Sequence, residues 1–172
     1  MPNDTSSRRR SGSVASLAGK PGAPTRKRQR IVLMVGLPGS GKSTYLERLG
    51  VAPLSSDAVR QLLADDATDQ SIHGRVFSTI RYLLRQRLAI GRAVTYVDAT
   101  HLTPAERRPY VKIARQYGCD VEAVFFDVPL EICIARNRGR ERVVPVEAMR
   151  KITAKLVPPK AAEGFSRVTV VR

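Results

Sequence analysis

Ile31-Val32-Leu33-Met34-Val35 runs directly into Gly36-Leu37-Pro38-Gly39-Ser40-Gly41-Lys42-Ser43-Thr44, and this junction decides the fold. An unbroken apolar run of this length is the pattern of a strand buried on both faces of a parallel sheet. The segment behind it has the G-x-x-x-x-G-K-S spacing of a phosphate-binding loop. Glycines let the backbone turn its N–H groups inward around phosphate oxygens, and the positive end of the next helix adds to the attraction. Residues 36–44 are therefore the expected ATP contacts, with Lys42 reaching the terminal phosphates and the Ser43 hydroxyl binding Mg²⁺.

Outward from this junction, apolar periodicity alternates between two kinds of element. Helices are predicted over 42–49, 56–64, 72–90, 104–117, 130–137 and 145–156, and strands over 51–55, 93–98, 121–126 and 168–171. In the third helix Val76, Ile80, Leu83, Leu84 and Leu88 fall at helical spacing, and Gly91 ends it. Strands alternating with helices call for a parallel sheet covered on both faces. The expected fold is α/β, a P-loop NTPase fold with a central parallel sheet, flanking helices and an Arg-rich lid.

Before Ile31 the composition changes. Residues 1–29 are rich in Ser, Gly, Pro and Arg without apolar periodicity, and are expected to form a disordered basic tail before a kinase domain over 30–172. Of the 172 residues, 30 are Lys or Arg and 15 Asp or Glu, a formal charge of +15 that favours a polyanionic partner such as nucleic acid. Cys119 and Cys133 both lie in apolar-patterned segments and form neither a disulfide framework nor a zinc site. Reduced core cysteines, no apolar run near the roughly 20 residues that span a bilayer, and no secretory leader give a cytoplasmic expectation, with no membrane partner.

Phosphate binding alone does not separate a kinase from a switch GTPase or a mechanical ATPase. The Asn-Lys-x-Asp signature of guanine recognition is absent, and the chain is short for a helicase or transporter motor. A small kinase needs a base for the acceptor hydroxyl, an acidic group near the metal and cations for the developing charge. Asp57, in Ser55-Ser56-Asp57-Ala58-Val59-Arg60, follows the second strand, where ligands of parallel sheets sit, and is the candidate base. Arg60 lies one helical turn on, on the same face. The plainer reading is a helix cap at Ser56 or Asp57 with Arg60 in solvent. Asp98, ending Ala93-Val94-Thr95-Tyr96-Val97-Asp98, has the form of a Walker B carboxylate assisting Mg²⁺, with Asp127 ranked below it. Arg136-Asn137-Arg138-Gly139-Arg140-Glu141-Arg142 is a candidate lid that neutralises the transferring phosphoryl group, or else a solvated basic turn.

Over about residues 31–171 the chain resembles the 5′-polynucleotide kinase family, the kinase module of phage and bacterial nucleic-acid end-healing enzymes. The resemblance rests on the loop with Thr44, on Ser55-Ser56-Asp57-Ala58-Val59-Arg60, on Val97-Asp98-Ala99-Thr100-His101-Leu102-Thr103-Pro104-Ala105-Glu106-Arg107-Arg108, on Phe126-Asp127-Val128-Pro129, and on Arg136-Asn137 with the lid. It implies Lys42 and Ser43 on ATP and Mg²⁺, Asp57 as general base, Arg60 on the phosphate beside a 5′ end, and a lid arginine on the β/γ phosphates. Arg140 fits that lid position best, with Arg138 and Arg142 as neighbouring alternatives. The chain departs from the end-healing enzymes in leaving no room for a phosphatase or ligase module. Related solo P-loop proteins phosphorylate metabolites or antibiotics. The expected activity is therefore transfer of the γ-phosphate of ATP to a 5′-hydroxyl of DNA or RNA, with two rivals: a small-molecule kinase, and a nucleotide-dependent nucleic-acid binder with little catalysis. The arginines at 75, 81, 85 and 87 on one helix favour the nucleic-acid acceptor.

Overall fold

A computed structural model describes residues 28–140 and 142–172, so the tail expected over 1–29 lies outside the described residues up to position 27. Strands β1 (Arg30–Val35), β2 (Leu54–Ser55), β3 (Val94–Asp98), β4 (Asp120–Phe126) and β5 (Arg167–Val171) form one sheet in the order β2-β3-β1-β4-β5. Every pairing is parallel. Helices α1 (Lys42–Arg48), α2 (Ser56–Ala64), α3 (His73–Ala89), α4 (Pro104–Tyr117), α5 (Leu130–Arg138) and α6 (Val146–Lys155) provide the crossovers and covering layers, and a 3₁₀ turn spans Ala161–Glu163. The α/β expectation holds.

The continuous apolar run of β1 has its physical reason in the layering. Ile31, Leu33 and Val35 join a core with Ile80 and Leu84 of α3 and with Tyr110 and Ile113 of α4. Val32 and Met34 point to the other face, with Leu46 of α1 and Val124 and Phe126 of β4. From Ile31 to Val35 both faces of the central strand are dry, which is why the run is unbroken by polar residues. A third cluster, Leu37, Leu102, Cys133 and Met149, packs beneath the loop after β1 and anchors α5 and α6 there.

β1 lies between β3 and β4, so the chain leaves it toward one side of the sheet and later returns to the other. The crevice at the carboxyl ends of strands at such a reversal is where doubly wound sheets bind ligands. The loop after β1, Asp57 just beyond β2, Asp98 closing β3 and Asp127 just beyond β4 all belong to this edge.

Candidate active site

The loop after β1 holds its shape through backbone that only glycine adopts cheaply. Gly36, Gly39 and Gly41 have φ of 152°, 79° and 98°. At Gly39 a Cβ would stand 2.5 Å from the Cys133 carbonyl oxygen of α5, so the position excludes a side chain on space as well as on conformation. Gly36 N donates to Thr100 O at 3.1 Å, which ties the start of the loop to the segment after β3.

Lys42 opens α1 and is buried. Its Nζ donates to Gly36 O at 3.0 Å and to Leu37 O at 2.7 Å, so the ammonium sits inside the loop's own curl. Burial pushes its pKa down to about 8, partly offset by the Asp98 carboxylate and reinforced by Arg140. Ser43 Oγ donates to Asp98 Oδ2 at 3.3 Å, so the expected metal-binding hydroxyl and carboxylate do meet. Burial raises the Asp98 carboxyl, while Lys42 and the Ser43 hydrogen bond oppose that shift. Asp127, the competitor, accepts from Arg172 Nε at 3.3 Å. Hard oxygen donors of this kind suit Mg²⁺, which takes one or two protein oxygens and completes its shell with phosphates and water. Ser43 and Asp98 would hold it. Among the described residues no group of three or more His, Cys, Asp or Glu gathers as a separate metal site.

At the start of α2 the plainer reading needs correction. The helix is capped by Ser55, whose hydroxyl accepts from Ala58 N at 3.4 Å, and not by Ser56 or Asp57. Asp57 is thereby left free of capping. Arg60 is not solvated either: its side chain is 4% exposed, and NH1 donates to Asp57 Oδ1 at 3.1 Å. Among the described residues the buried Arg60 Nε has no hydrogen-bond partner. The charges of Asp57, Asp98 and Arg140 all reach Lys42, which brings the base candidate, the metal pair and one lid arginine into one electrostatic cluster.

The lid divides its arginines. Arg140 acts on Lys42 and Asp98, on the loop side. Arg142 NH1 lies 3.1 Å from Asp57 Oδ1 and donates to Ala67 O at 2.8 Å, on the α2 side. Arg138 is exposed. Arg136, which the sequence showed only as part of the run, has NH1 3.9 Å from where a Gly41 Cβ would be. It lines a cleft of about 940 Å³ with Ser40, Gly41, Thr44 and Arg172, directly beside the loop. Asn137 is buried and brackets the run, with Nδ2 donating to Val144 O at 2.7 Å and Oδ1 accepting from Val144 N at 3.1 Å.

Sequence reasoning missed His101 and Arg107. His101 adopts φ of 46°, the left-handed region, and its Nδ1 lies 2.8 Å from Met34 O at the foot of the loop. Burial pushes its pKa down to about 4, so the ring is neutral and donates that bond. Arg107 is fully buried, makes two bonds to the Glu163 carboxylate at 2.8 and 2.7 Å, and donates to His101 O and Val157 O. Strict buried pairing of this kind fixes the segment after β3. A lone histidine in the connection between β3 and α4, as at His101, carries no periodic signal that would reveal its burial. Of the α3 arginines only Arg75 is exposed. Arg87 donates from Nε to Thr95 Oγ1 at 3.1 Å, and that row serves packing on β3 as well as charge.

A parallel sheet with its reversal at β1, a phosphate loop closed around a lysine, and a serine–aspartate pair beside it define a P-loop NTPase fold. Residues 31–159 match the AAA_33 family, described as an AAA domain, and the chain belongs to that family. It is 27% identical over 148 residues to the transcription factor bHLH140 of Arabidopsis thaliana, covering 82% of this chain and 16% of that protein. It is 22% identical over 149 residues to the L-seryl-tRNA(Sec) kinase of Methanococcus maripaludis, covering 81% of this chain and 58% of that one. The chain thus spans less than two thirds of either relative. In structure it is similar to a chain of the Pnkp1/Rnl/Hen1 RNA repair complex, with a TM-score of 0.64, 20% identity, and coverage of 80% of this chain and 47% of that chain, a likeness of fold. Among the described residues no helix is long and apolar enough to cross a membrane.

Proposed function

We propose that the protein is a kinase that uses ATP and Mg²⁺ to phosphorylate the 5′-hydroxyl end of DNA or RNA. The observation that carries this reading is the Asp57 carboxylate, uncapped and 52% exposed, ion-paired to an arginine buried beneath it at the same sheet edge as the phosphate loop. An acidic group open to solvent but anchored from below can take a proton from a hydroxyl, and the guanidinium beside it can hold an acceptor's neighbouring phosphate. The +15 charge suits such an acceptor. The seryl-tRNA kinase and the RNA repair complex among its relatives lie in the same chemical territory.

In this mechanism the loop amides and Lys42 bind the β- and γ-phosphates, Lys42 exchanging its bonds to Gly36 O and Leu37 O for phosphate oxygens. Mg²⁺, when bound at Ser43 and Asp98, neutralises charge between the phosphates. The acceptor oxygen forms a bond to the γ-phosphorus as the bond to the ADP oxygen breaks. Asp57 accepts the hydroxyl proton and releases it to solvent afterwards. Arg140 stabilises the negative charge on the transferring group.

The test is labelled ATP with 5′-hydroxyl oligonucleotides, nucleosides and sugars. Labelled oligonucleotide is expected; label on nucleosides or sugars alone rejects the polynucleotide acceptor. Asp57→Asn is expected to lower transfer by roughly 10²–10⁴-fold with ATP binding retained, the usual loss on removing a general base. Arg140→Ala is expected to be the most damaging of the single alanine changes at 138, 140 and 142 at saturating substrates, with a loss on the order of 10³ or more where an arginine stabilises the transferred group. A larger loss of turnover in Arg138→Ala or Arg142→Ala would reassign that role.

A further inference from the structure

One oxygen of Asp57 carries two guanidinium groups. Arg60 NH1 and Arg142 NH1 each stand 3.1 Å from Oδ1, the first from beneath in α2 and the second from the far end of the arginine run. Arg142 is held from behind by Ala67 O at 2.8 Å, in the connection between α2 and α3, so its position is built and not a chance surface pairing. Two cations thus share a single Asp57 oxygen, and the Asp66 carboxylate, next to Ala67 in sequence, also feels the Arg142 charge. The desolvation of Arg60 is only partly compensated, since its buried Nε has no partner among the described residues. An acceptor that brings its own anion relieves this imbalance; a neutral one does not.

We propose that Arg142 is an acceptor-recognising residue: it covers Asp57 in the absence of acceptor and exchanges that carboxylate for a phosphate of the incoming substrate. The inference rests on Asp57 as the catalytic base and adds a second arm to the acceptor pocket. Arg60 and Arg142 then approach one acceptor phosphate from opposite sides, while Asp57, released from Arg142, is free to receive the hydroxyl proton. The same exchange protects ATP from water, because the base is covered whenever no anionic acceptor has displaced the guanidinium. Substrates with a phosphate near the reacting hydroxyl are selected over neutral alcohols by a residue that does not contact the nucleotide donor.

The proposal is tested by direct binding, without turnover, of a dinucleoside monophosphate with a free 5′-hydroxyl and of the corresponding nucleoside. Each is titrated into the wild type, Arg142→Ala and Arg142→Lys in the presence of a non-hydrolysable ATP analogue. Arg142→Ala is expected to weaken the dinucleotide roughly tenfold or more and the nucleoside hardly at all, as for loss of a charge-assisted contact to phosphate. Arg142→Lys is expected to recover part of that loss, since it keeps the charge without the fork geometry. In turnover the loss should appear in KM for the dinucleotide, and slow ATP hydrolysis without acceptor should rise in Arg142→Ala. Equal weakening of both ligands, no weakening of either, or a wild type that does not distinguish them overturns the role of Arg142. A wild type that distinguishes them in binding but transfers no phosphate to the dinucleotide would instead leave Arg142 as an anion contact and sink the proposed reaction.

Discussion

At the scale of single residues, Lys42 is the most unusual group in the site. A buried ammonium loses most of its hydration, and the loop carbonyls and the Asp98 charge compensate only in part, which is why its pKa falls from 10.5 to about 8. Polyphosphate beside the same nitrogen favours the charged form and returns the pKa upward. Nucleotide binding must therefore take up a proton where the free protein has partly lost it, at and above about pH 8. By linkage, affinity for ATP is expected to fall as pH rises through that value, and to be flat well below it, where Lys42 is charged with or without nucleotide. Calorimetry at pH 8.5 in buffers of different ionisation enthalpy measures the uptake. A wild type that takes up no proton, or an uptake that survives in Lys42→Met, would show that the lysine is already fully charged in the free loop.

At the scale of elements, the turn from α5 into α6 depends on one amide. Asn137 closes the arginine run by pairing with both backbone groups of Val144, so the intervening residues form a loop with fixed ends. Asn137→Ala removes both bonds and leaves two half-buried backbone groups without their partner, each costing up to roughly 1–3 kcal/mol where water does not replace it. A lower melting temperature is expected, together with a loss of transfer larger than the loss of ATP binding, because Arg140 and Arg142 lose their common support. Unchanged turnover at lowered stability would make Asn137 a purely structural residue. This element also marks how far the sequence could be read. The loop after β1 was legible because its glycines and lysine form a dense local code, and helix α4, Pro104–Tyr117, because Pro104 stands in the first turn, where proline is tolerated. The direction taken by each lid arginine was not legible: four like side chains at short spacing carry no local signal, and only the folded positions of Asp57, Ala67 and Lys42 separate them. The burial of Arg60 was equally hidden, because a helix shows which residues share a face but not which neighbour that face meets.

At the scale of the whole molecule, sheet topology sets where the site lies and net charge sets the sign of the partner it would draw. The reversal at β1 gathers the loop, Asp57 and Asp98 at one edge, and the formal +15 has the sign that would draw the proposed polyanionic acceptor toward the molecule. Part of that charge lies ahead of the domain: residues 1–27 contain Arg8, Arg9, Arg10, Lys20, Arg26 and Lys27. The domain itself is already engaged from position 28, where Arg28 pairs with Asp120 at 3.2 Å and Gln29 Nε2 donates to Leu88 O and Arg92 O. Removing residues 1–27 therefore takes away six cations and none of the contacts just named. Each phosphate neutralised on a single strand contributes about 0.7 to the slope of log K against log salt. The truncated protein is expected to bind an oligonucleotide more weakly at low salt and with a flatter slope, so that the two proteins converge as salt rises. Turnover at saturating oligonucleotide should change little, because the proposed donor and acceptor contacts all follow Val35. Parallel salt titrations of the two proteins check this, and an identical slope would mean that these cations do not meet the acceptor and that the attraction comes from the domain alone.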